Sequence, residues 1–283
     1  MNVIQAIKDQ NLFRPFLGDD LASWKPWMAA LRVVYGLPVF PNYRPLIQEC
    51  TGRTKHPQVG YDTALFLTGR RSGKSRISAV IAAYESVLAG HEGKLAKGER
   101  GYVPVIAPTK SQARIVKEYV RAVFQETPLL RNEITRETRD GFDLANGVRI
   151  EILAGDWRSI RGFTLIACII DEVCFFGLDA DSKVKSDSEL IRAIKPALAT
   201  IEGKLICISS PYAMRGWSYQ TWKKNFGNEL GTILVWNCPS RTMNPTLDQK
   251  IVDQALLEDY SAAQSEYLGK WGEDVGLFLP SEV

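Results

Sequence analysis

Along this chain, short apolar runs without alternation recur, each followed by a stretch in which apolar positions return every three or four residues. Leu65-Phe66-Leu67 gives way to Ile77, Val80, Ile81, Tyr84, Val87 and Leu88. Tyr102-Val103-Pro104-Val105-Ile106 precedes a helical pattern from Gln112 to Gln125, with Pro108 ending the strand and Thr109 or Ser111 placed to cap the helix. An unbroken apolar run reads as a strand buried on both faces, and the helical period after it as a crossover. Leu165 to Ile170 and Leu205 to Ile208 are two more such runs, Gly231 to Asn237 supplies another strand, and Asp187 to Thr200 reads as a helix. The alternation predicts an α/β fold, a mainly parallel sheet with right-handed crossovers and helices on both faces.

Three regions depart from this pattern. Gly141 to Leu144 and Val148 to Leu153 flank Ala145-Asn146-Gly147, the signal of an inserted β-hairpin. Residues 1–60 are irregular and rich in proline and aromatics, apart from a short helical pattern through Leu31, Val34 and Tyr35. Within them, Gly36 to Gly60 reads as a long surface loop. From Asn244 the pattern is short, helical and polar, with Asn244-Pro245 as a start signal. The expected organisation is an N-terminal arm over 1–60, a core over 61–240 and a small helical extension over 241–283.

Composition narrows the picture only modestly. A chain of 283 residues, 45% apolar and 24% charged, buries one large core. A net charge of +3 neither identifies nor excludes a nucleic-acid partner, so any basic surface must be local. The five cysteines include no Cys-x-x-Cys pair, and Cys168 and Cys207 lie inside apolar runs, which points to a reducing compartment and away from zinc. Only His56 and His91 are available for imidazole chemistry. The absence of a long apolar span predicts a soluble, intracellular protein with no membrane partner.

The chemistry collects at strand ends. Leu67-Thr68 opens into Gly69-Arg70-Arg71-Ser72-Gly73-Lys74-Ser75, and a helical segment follows. Strand, glycine-bearing loop and helix in that order make a phosphate-binding loop, because backbone N–H groups and the positive helix end face a polyphosphate. On this reading residues 69–75 bind the nucleotide, Lys74 reaches the β- and γ-phosphates, and Ser75 ligates Mg²⁺. The full pattern has glycine where Thr68 stands, so a solvated basic loop competes with it. The apolar run Leu165 to Ile170 ends in Asp171-Glu172. Asp171 then holds Mg²⁺ through water and Glu172 activates the attacking water, the alternative being a helix N-cap. Leu205 to Ile208 ends in Ser209-Ser210-Pro211, whose hydroxyls face the same edge, as a phosphate sensor or as a turn.

In combination these segments, with Ala107-Pro108-Thr109-Lys110 between the first two, resemble the ATPase domain of tailed-phage large terminases over about residues 20 to 280. The resemblance implies a P-loop NTPase of the ASCE/RecA-like kind, with ATP and Mg²⁺ as cofactors. It also implies hydrolysis coupled to translocation of double-stranded DNA, a ring of copies on a portal, a small-subunit partner and the cytoplasm of a bacterial host. It matches Arg70 to an arginine of the terminase phosphate loop, and Ser209 and Ser210 to a coupling motif. It matches Arg161, ahead of Gly162, to an arginine finger for the neighbouring subunit; a turn or a DNA contact is the other reading. Trp24-Lys25-Pro26-Trp27-Met28 resembles an adenine motif and places Trp27 at the nucleotide, although Met28 stands where glutamine is frequent and cannot make paired hydrogen bonds to a base. The chain stops near where the family's nuclease domain begins, so no DNA cleavage is expected of it. A helicase-like ATPase, which needs a second RecA-like domain, and a non-hydrolysing nucleotide-binding assembly module are the competing functions.

Overall fold

The computed structural model describes residues 1–155, 162–177, 184 and 186–272. The chain opens with four helices, α1 (Val3–Lys8), α2 (Arg14–Leu17), α3 (Lys25–Val34) and α4 (Arg44–Thr51). Two βα units follow: β1 (Thr63–Thr68) with α5 (Lys74–Val87), and β2 (Gly101–Ala107) with α6 (Lys110–Glu126). An antiparallel insertion comes next, β3 (Ile134–Thr138), β4 (Gly141–Leu144) and β5 (Arg149–Ala154). Then come β6 (Thr164–Leu165), β7 (Ala167–Asp171), α7 (Asp187–Ala199), β8 (Lys204–Ser209), α8 (Gly216–Asn225) and β9 (Leu234–Cys238). Three helices close the described chain, α9 (Ser240–Met243), α10 (Gln249–Glu258) and α11 (Tyr260–Leu268).

Among the described residues all nine strands join one sheet in the order β3-β4-β5-β2-β7-β8-β1-β9, with β6 also beside β2. β3, β4 and β5 pair antiparallel, and every other pairing is parallel. The predicted parallel sheet and hairpin are therefore present, and β8 separates the glycine-loop strand β1 from the acidic strand β7. Alternation sorts each central strand between two cores. Ala64 and Phe66 of β1 join the N-terminal helices, α5 and α6 on one face, while Leu65 and Leu67 join α7 and the aromatic residues of α8 on the other. All four side chains are fully buried, which is why the run does not alternate in sequence.

Three expectations need correction. Residues 1–60 are largely helical, and Gly36 to Gly60 is not one long loop, because α4 occupies its middle. The prolines that read as breakers stand at the first or second helical positions of α2, α3 and α4, where a missing N–H costs nothing. Helix α8 has no counterpart in the sequence pattern, since its aromatic residues carry little periodicity. Its first turn is held by the buried Asp187 carboxylate, which accepts from Trp217 N and Ser218 N at 2.9 and 2.8 Å. The last strand covers Leu234–Cys238, later than the Gly231 to Asn237 pattern suggests.

Candidate active site

The loop after β1 is built by its neighbours as much as by its own glycines. Gly73 caps α5 at φ +87°, in the left-handed region open to glycine at no steric cost. Arg71 also has positive φ, at 63°, and its carbonyl accepts from Asn244 Nδ2 at 2.8 Å. A Cβ at Gly69 would lie 2.8 Å from Glu266 O and 2.9 Å from Tyr267 O, so the C-terminal end of α11 requires glycine here. That contact accounts for the displaced glycine of the motif. Thr68, in the place of the expected one, is fully buried, with its hydroxyl 2.9 Å from Ser72 Oγ. From below, Trp27 donates its indole N–H to Ser72 O at 2.6 Å.

Lys74 is buried and aims its ammonium back across the loop, donating to Thr68 O, Gly69 O and Ser210 Oγ at 3.0–3.1 Å. Its charge faces Glu172, with Nζ 3.6 Å from Oε1. Glu172 has φ +50°, a left-handed conformation rare for a residue with a Cβ and typical of strained functional positions. Its other oxygen, Oε2, accepts from Ser209 Oγ at 3.1 Å and Ser210 N at 3.3 Å. The two serines thus bind the carboxylate directly, and neither is merely part of a turn. Nor does Glu172 cap a helix with its side chain, since no such hydrogen bond is made into the 3-10 turn Val173–Phe175.

Asp171, one residue earlier, is buried and 3.5 Å from Ser75 Oγ through Oδ2, while its Oδ1 has no hydrogen-bond partner. Burial above all, with the Glu172 charge second, raises its pKa to about 7, against the opposing pull of Lys74. An orphaned buried carboxylate oxygen beside a hydroxyl is a donor set suited to a hard divalent cation.

These groups border a cavity of about 480 Å³ whose lining includes Arg70 to Arg76, Glu172, Trp24, Trp27 and, from α9 and beyond, Met243, Asn244 and Thr246. The structure therefore brings together residues 70–75 and Glu172 in the lining, with Asp171, Ser209 and Ser210 bonded just behind it. Two of the expected residues in this lining also bind neighbouring elements. Arg70 forms an ion pair with Glu266 at 2.8 Å, and its N–H donates to Glu266 O at 2.5 Å, so it ties the loop to α11. Trp27 is 1% exposed with its indole N–H committed to the loop, and Met28 is buried in the core. Arg161 lies outside the described residues. Trp24 joins the site from the segment that resembles an adenine motif, while Asn244 and Glu266 join it without a functional signal in the sequence, because no local spacing links positions so far apart in the chain.

A Gly-Lys-Ser loop and an acidic strand on one sheet edge, with a third strand between them, define the fold of a P-loop NTPase domain. Solved structures share this fold. The large terminase of bacteriophage HK97 matches with a TM-score of 0.62 at 16% identity, covering 95% of this chain and 54% of that one. The large terminase ATPase domain of Thermus phage P74-26 matches at 0.54 and 18% identity, over 86% of this chain and 97% of that one. The large terminase of another thermophilic bacteriophage, in complex with ADP, matches at 0.56 and 12% identity, over 86% and 53%. The chain spans about half the length of the HK97 protein and of the ADP-bound one. No protein-family model and no curated protein matches it in sequence. Among the described residues, no helix is long and apolar enough to cross a membrane.

Proposed function

We propose that this chain is the ATP-hydrolysing motor domain of a large terminase, coupling Mg-ATP hydrolysis to the movement of double-stranded DNA. The observation that carries the reading is the placement of Glu172, held by Ser209 and Ser210 and facing Lys74 across the mouth of one cavity. The shared fold supports it, as does the ADP bound in one of the matching terminases.

In this reading Lys74 exchanges its loop carbonyls for the β- and γ-phosphate oxygens, and residues 69–73 present backbone N–H groups to them. Ser75 and Asp171 would hold Mg²⁺, which when bound would offset phosphate charge. Glu172 Oε1 orients a water and accepts its proton as the water oxygen bonds to the γ-phosphorus. The bond from that phosphorus to the β,γ-bridging oxygen breaks, leaving ADP and phosphate. Ser209 and Ser210 hold the base, and Ser210 also accepts from Lys74, so loss of the γ-phosphate is felt by the chain after β8; this is the coupling role. Arg70, paired with Glu266, ties nucleotide state to α11. Trp27 supports the loop from beneath the nucleotide. Arg161 is proposed as a finger acting on a neighbouring copy in a ring, with a portal and a small subunit as the other partners, in the host cytoplasm.

The test is steady-state phosphate release from Mg-ATP, with and without double-stranded DNA. The expected result is turnover that DNA stimulates and that Lys74→Ala abolishes. Nucleotide binding without any turnover in assembled protein, with DNA present, would leave the non-hydrolysing module as the function.

A further inference from the structure

At the opposite end of β1 lies a second cleft, of about 950 Å³, between the end of α3, the segment after it, α4 and residues 53–58. Its lining carries Arg32, Arg44, Arg53 and Lys55, and no acidic residue. Two of these cations are more than nine-tenths buried. Arg32 donates to Pro38 O at 2.7 Å, and its guanidinium lies 4.5 Å from the Phe40 ring centre. Arg53 donates to Tyr61 Oη and to the carbonyls of Asn225, Gly231 and Ile233 at 2.7–3.0 Å. The Nε of each has no partner, and among the described residues neither arginine meets a carboxylate. A buried cation with only neutral partners is costly, and an anion from outside removes that cost.

The cleft is also preformed. Gly36 and Gly60 lie back to back, so that a Cβ at Gly36 would be 2.6 Å from Gly60 N and one at Gly60 would be 2.7 Å from Gly36 N. Glu229 lines a neighbouring cavity and not this cleft; its carboxylate accepts from Thr54 N, Thr54 Oγ1 and Lys55 N at 2.8–3.1 Å. Arg44 and Lys55 are exposed and have no side-chain hydrogen bond or ion pair among the described residues.

We propose that this cleft is a second phosphate-binding site, separate from the phosphate loop, in which Arg44 and Lys55 take phosphate oxygens over the fixed charges of Arg32 and Arg53. Guanidinium and ammonium groups around one cleft, with no acid in its lining, suit the oxyanions of a phosphodiester backbone or of a free polyphosphate. The size favours more than one phosphate group.

The double variant Arg44→Glu/Lys55→Glu tests this, since both side chains are exposed and make no structural bond. Two probes are used, a fluorescein-labelled duplex of about 30 base pairs followed by anisotropy over a salt series, and pyrophosphate followed by thermal shift. If the phosphates come from nucleic acid, duplex affinity falls at least about tenfold at low salt, and the salt slope shrinks by about two. If they come from a free polyphosphate, duplex binding holds while stabilisation by pyrophosphate drops below that of the parent. Unchanged duplex binding together with unchanged pyrophosphate stabilisation overturns the proposal. DNA-independent phosphate release is expected to match the parent, so the result is separable from whether the phosphate loop hydrolyses ATP.

Discussion

The two ends of β1 handle positive charge in opposite ways. At the C-terminal end Lys74 faces Glu172, Asp171 stands one residue away, and hydroxyls and carbonyls fill the remaining positions. At the N-terminal end Arg32 and Arg53 are equally buried but meet only carbonyls, a phenol and a ring. The first arrangement is balanced in the unliganded protein and prepared for charge that changes during a reaction. The second is unbalanced, with no carboxylate in its lining, which suits it to holding an anion.

The largest expected effect breaks the catalytic end. Glu172→Gln keeps the shape and the hydrogen bonds to Ser209 and Ser210 but cannot accept a proton, so ATP hydrolysis is expected to fall about 10²-fold or more with nucleotide affinity retained. Single-turnover phosphate release and nucleotide titration check this; turnover within a few-fold of the parent would place the base elsewhere. A smaller loss is expected for Ser209→Ala, which removes the 3.1 Å bond to Oε2 but leaves the Ser210 N–H in place. A drop in kcat of about tenfold, with KM little changed, marks a residue that positions the base. A change confined to KM would contradict that role.

The same comparison separates what is legible in the sequence from what is not. The phosphate loop, the acidic pair and the serines are each local runs at a strand end, so period and residue type suffice to find them. The glycine at position 69 is legible but not its cause, which is the backbone of Glu266 and Tyr267 nearly two hundred residues away. Trp27 lines the cavity its motif indicates, but its bond to Ser72 O is not legible, because an aromatic motif does not say which backbone group it meets. The basic cleft is invisible in the sequence. Arg32, Arg44, Arg53 and Lys55 come from two helices and a loop with no common spacing, in a stretch whose prolines suggest breaks and in fact start helices.

Asp171 offers a stability test of the balanced end. Its carboxylate is buried with Oδ1 unpartnered, and a pKa near 7 means that folding disfavours the charged form at neutral pH. Asp171→Asn is therefore expected to raise the Tm of the metal-free protein by about 2–6 °C, in the range of one to two kcal/mol for a chain of this size. The extra stabilisation that Mg²⁺ adds to nucleotide should vanish in the same variant. Differential scanning fluorimetry with nucleotide, in Mg²⁺ and in chelator, reads both; a lower Tm without metal would mean that the carboxylate has a structural partner.

The smallest expected effect probes the unbalanced end through His56. Its Nδ1 lies 3.2 Å from Tyr61 Oη, which itself accepts from Arg53. Burial first, and Arg53 second, lower the imidazole pKa to about 4, against a partial opposing pull from Glu229. The unfolded chain, with its histidine near 6.5, binds a proton that the folded chain refuses between those values. The stability contributed by neutral His56 is thus fully present above about pH 6.5 and is lost progressively as pH falls toward 4. Urea midpoints at pH 7 and pH 5 should differ less in His56→Phe than in the parent. Pyrophosphate sharpens the comparison, because an anion in the cleft offsets Arg53 and lets the folded protein tolerate the imidazolium. It should raise the His56 pKa, followed by NMR with His91 as internal reference, and flatten the acid slope in the parent alone. An acid slope identical in parent and variant would show that the charge of Arg53 is not felt at His56, and the cleft would then lose its claim to an unbalanced field.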